Sequence, residues 1–183
     1  MSVLILIGQL FYFFLPAGLA NMAPVLFKQR LKKLAIPIDA GKTIGGQPVF
    51  GSHKTWRGVF VASVMGGLLF LVQYIAVGQW EGLVRISAFD IRVAPWWFGF
   101  VFGFGAIIGD LIKSFFKRRF KVQPGKSWFP FDQIDFLVGA GVVAMFFFDM
   151  SLPVWVLLLL IGPFFHILVN HMGFWLKIKN SPW

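Results

Sequence analysis

Five stretches of nearly unbroken apolar residues divide this chain, and its polar residues collect between them. The stretches run approximately from Val3 to Met22, Val59 to Val77, Ala94 to Phe116, Ile134 to Met150 and Pro153 to Met172. A helix that crosses a bilayer needs about 20 predominantly apolar residues, so the pattern predicts about five transmembrane helices. Asp149 and Pro153 predict a tight turn that folds the fourth and fifth into a hairpin. No repeat, low-complexity tract or linker interrupts the pattern, and residues 1–183 are read as one membrane-embedded domain. The expected fold class is an all-α integral membrane protein whose two cytoplasmic loops form a polar pocket.

Composition sharpens this. The chain is 58% hydrophobic and 13% charged, against about 25% charged in an average soluble domain, which leaves too little polar sequence to cover a soluble core. The absence of cysteine excludes disulfides, thiolate metal sites and cysteine nucleophiles. Ala17-Gly18-Leu19-Ala20 looks like a signal-peptide cleavage site, but no positive charge precedes the apolar run, and Lys28, Arg30, Lys32 and Lys33 follow it as a stop-transfer flank. The first stretch is therefore read as a retained helix.

The net charge of +10 is unevenly placed. Lys28, Arg30, Lys32, Lys33, Lys42, Lys54 and Arg57 follow the first helix, Lys117, Arg118, Arg119, Lys121 and Lys126 follow the third, and Lys177 and Lys179 lie in the tail. The remaining loops carry only Arg85 and Arg92 against Glu81 and Asp90. Because cytoplasmic loops are enriched in Lys and Arg, the amino terminus is expected outside, and the carboxyl terminus and the basic loops in the cytoplasm. The basic faces suit anionic membrane lipids and phosphorylated substrates, and they are not read as a nucleic-acid surface.

Two basic segments hold the candidate chemistry. In the first, Pro37-Ile38-Asp39-Ala40-Gly41-Lys42 and Gly45-Gly46 precede Gly51-Ser52-His53-Lys54-Thr55-Trp56-Arg57-Gly58. Glycines let backbone amides approach an anion, and Lys54, Thr55 and Arg57 add donors at the start of a helix, which suits phosphate. The spacing is not that of a Walker loop, since Ser52-His53 stands where Lys-Ser/Thr is needed. A basic loop docked on anionic lipid is the plainer alternative. In the second segment, Asp110, Ser114 and Lys117 share one helical face, as do Asp132 and Asp135. Three carboxylates from adjacent helices, all oxygen donors, suit Mg²⁺ better than zinc. Structural ion pairs of Asp110 with Lys113 or Lys117, and a capping role for Asp132, are the alternatives.

Gly109-Asp110-Leu111-x-x-Ser114-x-x-Lys117-Arg118, followed after a Pro-Gly loop by Asp132-Gln133-Ile134-Asp135, resembles the hallmark of the CTP-dependent CDP-diacylglycerol synthases. The CDP-archaeol synthases look closer still, with the step Asn21-Met22-Ala23-Pro24, the Pro-Ile-Asp-x-Gly loop and the run from Gly51 to Gly58. The resemblance covers nearly the whole chain and implies a reaction of CTP with a membrane lipid phosphate to give a CDP-activated lipid and pyrophosphate; an archaeal unsaturated ether lipid is favoured, and the sequence leaves ether-linked against ester-linked chains open. It also implies Asp110, Lys117, Asp132 and Asp135 as catalytic residues, the three aspartates holding Mg²⁺, with Lys54, Thr55, Arg57, Ser114 and Arg118 toward the substrates; Asn21 and Asp39 are placed with that set, although Asn21 either caps the first helix or faces the pocket and Asp39 is a candidate for a missing acidic contact. The large bacterial synthases carry a Lys-Asp step and a Gly-His-Gly-Gly run where this chain has Val122-Gln123-Pro124-Gly125 and Lys126-Ser127-Trp128-Phe129, so their ligand set does not transfer whole.

Two competing functions are consistent with the same pattern. One is a non-enzymatic basic scaffold or small transporter, the latter weakened by the lack of an inverted repeat. The other is a CTP-dependent kinase of a polyprenyl-type alcohol, which needs a base for its hydroxyl. His166 and Asn170, four residues apart, either pack or line the cavity, and His53 either touches nucleotide or is solvated. Trp96 and Trp97 read as an aromatic belt at the outer end of the third helix.

Overall fold

The computed structural model describes residues 2–123, 126–175 and 177. Pro124, Gly125 and Lys179 therefore lie outside the described residues. The helices are α1 (Val3–Leu26), α2 (Trp56–Gln79), α3 (Phe98–Arg119), α4 (Phe131–Ala144) and α5 (Leu152–Trp175). Three of them, α1, α2 and α3, are long and apolar enough to cross a membrane, and Leu152–Leu168 is a further apolar stretch. The chain is a mostly helical membrane protein. The fourth element departs from expectation: α4 has 14 residues, about 21 Å of helix against a hydrocarbon core of about 30 Å. It begins three residues early, in the Asp132 turn, and ends at Ala144, where turns lead to α5. The third helix starts at Phe98 rather than Ala94, because a short helical turn at Ile91–Val93 and Pro95 precede it. A two-stranded hairpin that the apolar pattern gave no hint of, β1 (Thr43–Ile44) with β2 (Gln47–Pro48), lies between α1 and α2. Its turn is Gly45-Gly46, both at positive φ, as a two-residue type I′ hairpin requires.

Helix association in lipid depends on close backbone approach and on polar contacts. The face of α2 at Ala62, Gly66, Phe70, Gln73 and Val77 is buried, while Phe60, Leu68, Val72 and Ile75 point outward. Gly66 meets Gly103 so closely that a methyl on Gly103 would lie 2.7 Å from the Ala62 carbonyl oxygen. On the other side of α3, added methyls on Gly109 and Gly139 would collide with the backbone carbonyls of Asp135 and Gly105, so α3 and α4 touch main chain to main chain. One polar contact repairs a defect in α1. Pro16 has no N–H for the Tyr12 carbonyl four residues back, and buried Gln73 Nε2 donates to that oxygen at 2.7 Å. At the end of the bundle remote from the basic loops, Phe13, Phe98, Phe102 and Phe148 pack edge to face or stacked, with centroids 5.0–5.4 Å apart in the Phe98–Phe102, Phe13–Phe102, Phe13–Phe148 and Phe98–Phe148 pairs.

Candidate active site

The loop from residue 27 to 55 is folded by its own polar groups. Asp39, 7% exposed, accepts from the amides of Gly41 (3.0 Å), Phe50 (3.0 Å) and Gly51 (2.9 Å). Burial pushes its pKa up, but the amides of Gly51, Phe50 and Gly41 outweigh that and hold it below the usual carboxylate value. Ile38 N donates to the Lys54 carbonyl and Trp56 N to the Ile36 carbonyl, so the two ends of the loop run side by side. Thr55 caps α2, its hydroxyl accepting from Gly58 N at 3.3 Å. Arg57 Nη1 donates to the carbonyls of Lys28 (2.7 Å) and Arg30 (3.4 Å), fastening the end of α1 to the start of α2. Arg119 donates to the carbonyls of Ile44, Gln47 and Pro48 and so pins the hairpin to the end of α3.

This framework delivers Lys54 to α3, where its ammonium pairs with Asp110 Oδ2. The Gly109 contact with Asp135 brings α4 close, and three carboxylates then converge on one point. That point is occupied by the Lys113 ammonium, 3.1 Å from Asp110 Oδ1, 2.9 Å from Asp132 Oδ1 and 2.9 Å from Asp135 Oδ2. Lys117 takes both oxygens of Asp132, at 3.0 and 2.8 Å, and Asp132 Oδ2 also accepts from Trp128 N at 2.6 Å. The result is three lysines interleaved with three aspartates, the Asp135 side chain only 3% exposed. Buried ions survive only when paired and hydrogen-bonded, and each of these has a partner.

All four residues expected to be catalytic, Asp110, Lys117, Asp132 and Asp135, thus belong to one cluster. Ser114 is buried one turn beyond Asp110 and lines a neighbouring cavity with Arg118, whose Nη1 donates to the Val122 carbonyl. Asn21, Thr55 and Arg57 lie in a second cavity. Asp39 stands apart from both, its carboxylate committed to the loop amides. Lys113 is the residue whose central place was missed: its i, i+3 spacing from Asp110 showed a pair, but not that Asp132 and Asp135 would share it. Arg119 is one charge in a basic run by sequence, and its clasp on the hairpin carbonyls emerges only from the fold.

Two cavities meet at Lys54. One, about 550 Å³, is bounded by Ser52, His53, Lys54, Lys113, Lys117 and Arg118 and is strongly basic. The other, about 580 Å³, runs between α1, α2, α3 and α5 past Asn21, Arg57, Asp110, His166 and Asn170. It shares Asn21, Met22, His166 and Asn170 with an apolar groove that continues along Phe11, Phe14 and Phe165.

Among the described residues, no group of three acidic or histidine side chains is arranged to hold a metal ion as it stands. Oxygens from three carboxylates nevertheless surround one cation, the Lys113 ammonium, and an all-oxygen donor set of this kind is of the type a hard divalent cation takes.

The CarS-like family, described as CDP-archaeol synthase, matches residues 2–183. CDP-archaeol synthases from Methanoculleus marisnigri and Pyrococcus furiosus are each 34% identical to this chain, covering 92% and 96% of it and 99% and 97% of the relatives. That from Methanoregula boonei is 36% identical over 80% of this chain and 89% of its own length. A solved structure described as an intramembrane enzyme for archaeal membrane lipids biosynthesis shares the fold, with a TM-score of 0.68 and 24% identity over 87% of this chain and 91% of that one. With the whole length matched and Asp110, Lys117, Asp132 and Asp135 drawn into one cluster, this chain belongs to the CDP-archaeol synthase family.

Proposed function

We propose that the chain is a CTP-dependent cytidylyltransferase that converts a membrane lipid phosphate, of the archaeal unsaturated ether type, into its CDP-activated form with release of pyrophosphate. The observation that carries this reading is the meeting, at Lys54 and the aspartate–lysine cluster, of a basic cavity and a mixed cavity that continues into an apolar groove. The basic cavity suits the triphosphate of CTP, with Lys54, Lys117 and Arg118 as donors. The mixed cavity, continuous with an apolar groove, suits a headgroup phosphate whose chains stay among the helices, with Arg57 and Asn21 near its head.

The nucleophile is a phosphate oxygen already ionised at neutral pH. Its bond to the α-phosphorus of CTP forms as the bond from that phosphorus to the bridging α–β oxygen breaks, and pyrophosphate carries the electron pair away. No general base is required, so the protein's work is alignment and charge neutralisation. Asp110, Asp132 and Asp135 would hold Mg²⁺, which when bound supplies Lewis-acid stabilisation of the phosphoryl oxygens. Lys54 and Lys117 face the same phosphates as fixed cations, and Thr55 and Arg57 hold the loop that presents Lys54. Asp39 acts one step back, by folding that loop. CTP is water-soluble and anionic, so both cavities face the cytoplasm in this reading, with the amino terminus outside, which agrees with the distribution of Lys and Arg.

The test is purified protein with CTP labelled at the α-phosphorus, Mg²⁺ and a panel of lipid phosphates and lipid alcohols, with products identified by mass. A CDP-lipid and pyrophosphate are expected from the lipid phosphate. Release of CDP with phosphorylation of an alcohol would instead identify a kinase, and absence of turnover with every lipid would favour a scaffold.

A further inference from the structure

Lys113 is the residue the proposed chemistry leaves without a task. It sits one helical turn beyond Asp110, 14% exposed, with its ammonium at the point where three carboxylates from α3 and α4 converge. Neither neighbour bridges all three: Lys54 pairs with Asp110 Oδ2 and Lys117 with the two oxygens of Asp132. Three aspartates and three lysines leave the cluster formally neutral. A divalent cation added without moving a lysine would put two uncompensated charges in a largely buried place, an expensive arrangement. Removing one ammonium from the centre halves that excess. Lys113 has somewhere to go, because its side chain also borders the basic cavity lined by Ser114, Lys117 and Arg118, where an anionic phosphate chain would need it.

We propose that Lys113 is a two-position lysine: its ammonium occupies the carboxylate site as a tethered counter-ion while the site lacks metal, and moves to the nucleotide phosphates when a divalent cation displaces it. This rests on the reading of Asp110, Asp132 and Asp135 as the metal site. In the resting position the lysine prevents mutual repulsion of three clustered carboxylates and so keeps α3 and α4 together. In the second it adds a positive charge to the nucleotide cavity only when the metal is present. Metal and nucleotide binding are thereby coupled through one side chain, and CTP is gripped productively only in a loaded site. The cost is that the metal must compete with a cation already in place, so its apparent affinity without nucleotide is reduced by the fraction of molecules in which the lysine occupies the centre.

The full-length protein in detergent can be titrated with Mn²⁺, followed by electron paramagnetic resonance without nucleotide, in wild type, Lys113→Met and Asp135→Asn. Methionine keeps an unbranched chain of similar length and removes the charge. Lys113→Met should bind Mn²⁺ roughly tenfold or more tightly than wild type, as expected if the lysine fills the site nine times in ten or more, and Asp135→Asn should bind it more weakly. Lys113→Met should also melt earlier than wild type in chelator and recover with added Mg²⁺, whereas wild type should change little. Should that variant fold poorly, amine-reactive footprinting of wild type with mass readout tests the same movement, since Lys113 should become more reactive on Mg²⁺ addition. Equal Asp135-dependent Mn²⁺ affinity in wild type and Lys113→Met, or unchanged Lys113 reactivity with metal, would overturn the two-position lysine while leaving the metal site standing. Mn²⁺ binding indifferent to Asp135→Asn would overturn the metal site and this proposal with it.

Discussion

Asp132 and Asp135 differ in what an isosteric amide would cost them. Asparagine at 132 can still accept from Trp128 N and serve the first turn of α4, but it loses its charge toward Lys113 and Lys117. At 135 it faces Lys113 from a nearly closed position. Both Asp132→Asn and Asp135→Asn are expected to abolish turnover while the protein still folds and inserts, since the Lys and Arg that set topology are untouched; normal CTP turnover by well-folded variants would remove the metal-site assignment. Lys54 and Arg57, three residues apart, are predicted to separate. Lys54→Ala removes the ion pair to Asp110 and a cation at the junction of the cavities, a charge-assisted interaction of about 1.5–3 kcal/mol, or one to two orders of magnitude in turnover. Arg57→Ala unfastens α2 from the carbonyls of Lys28 and Arg30, so its deficit should include a lower melting temperature, which Lys54→Ala should not show to the same extent.

At the scale of elements, the site exists because two helices touch through glycine and because a loop is folded by one carboxylate. Gly109→Ala places a methyl against the Asp135 carbonyl. Overpacking of this kind costs about 1–3 kcal/mol, and relief by moving α4 outward would pull Asp132 and Asp135 from Lys113; the expected outcome is a lower melting temperature together with lost turnover, and a wild-type melt would refute the close approach. Asp39 gives a pH signature. Its pKa is lowered in the folded loop, so its contribution to stability is fully present above the usual carboxylate value of about 3.9 and is lost as pH falls through the lower folded value. Asp39→Asn should therefore melt below wild type at neutral pH, with the gap closing only in acid below about pH 4. Much of this was legible in the sequence. Runs of apolar residues set the helices to within a few positions, except where α4 stops at Ala144, because Phe146, Phe147 and Phe148 continue the apolar signal through a turn. The spacing of Asp110, Lys117, Asp132 and Asp135 placed them on shared faces, which survives any error in helix ends. What escaped were contacts between residues far apart in the chain: the sharing of Lys113 by three carboxylates, the Arg119 clasp on the hairpin, and the Gln73 bond to the carbonyl orphaned by Pro16. Helical periodicity specifies which face a residue lies on; it carries no information about which face of which other helix it meets.

The whole molecule is polarised along its axis. Among the described residues, only Arg85 and Arg92 of the Lys and Arg lie at the end with Glu81 and Asp90, and Arg92 is matched there by Asp90 at 2.8 Å. The remaining cations lie at the end that holds both polar cavities, and exposed Trp80, Trp96 and Trp97 ring the opposite one, as aromatic anchors do at a membrane interface. Such an imbalance should fix orientation, with the cavities on the cytoplasmic side, where the proposed nucleotide substrate enters from water. The natural chain has no cysteine, so a single introduced thiol reports one position without background. Gly82→Cys sits on an exposed turn at the sparsely charged end, where an added Cβ meets nothing within 4 Å, and Ser127→Cys lies exposed in the loop before α4. In intact cells a membrane-impermeant maleimide should label the Gly82→Cys variant directly and the Ser127→Cys variant only after permeabilisation. The reverse pattern would turn the molecule over and put its aspartates on the side without nucleotide, a result that no adjustment of residue roles could reconcile with CTP as substrate.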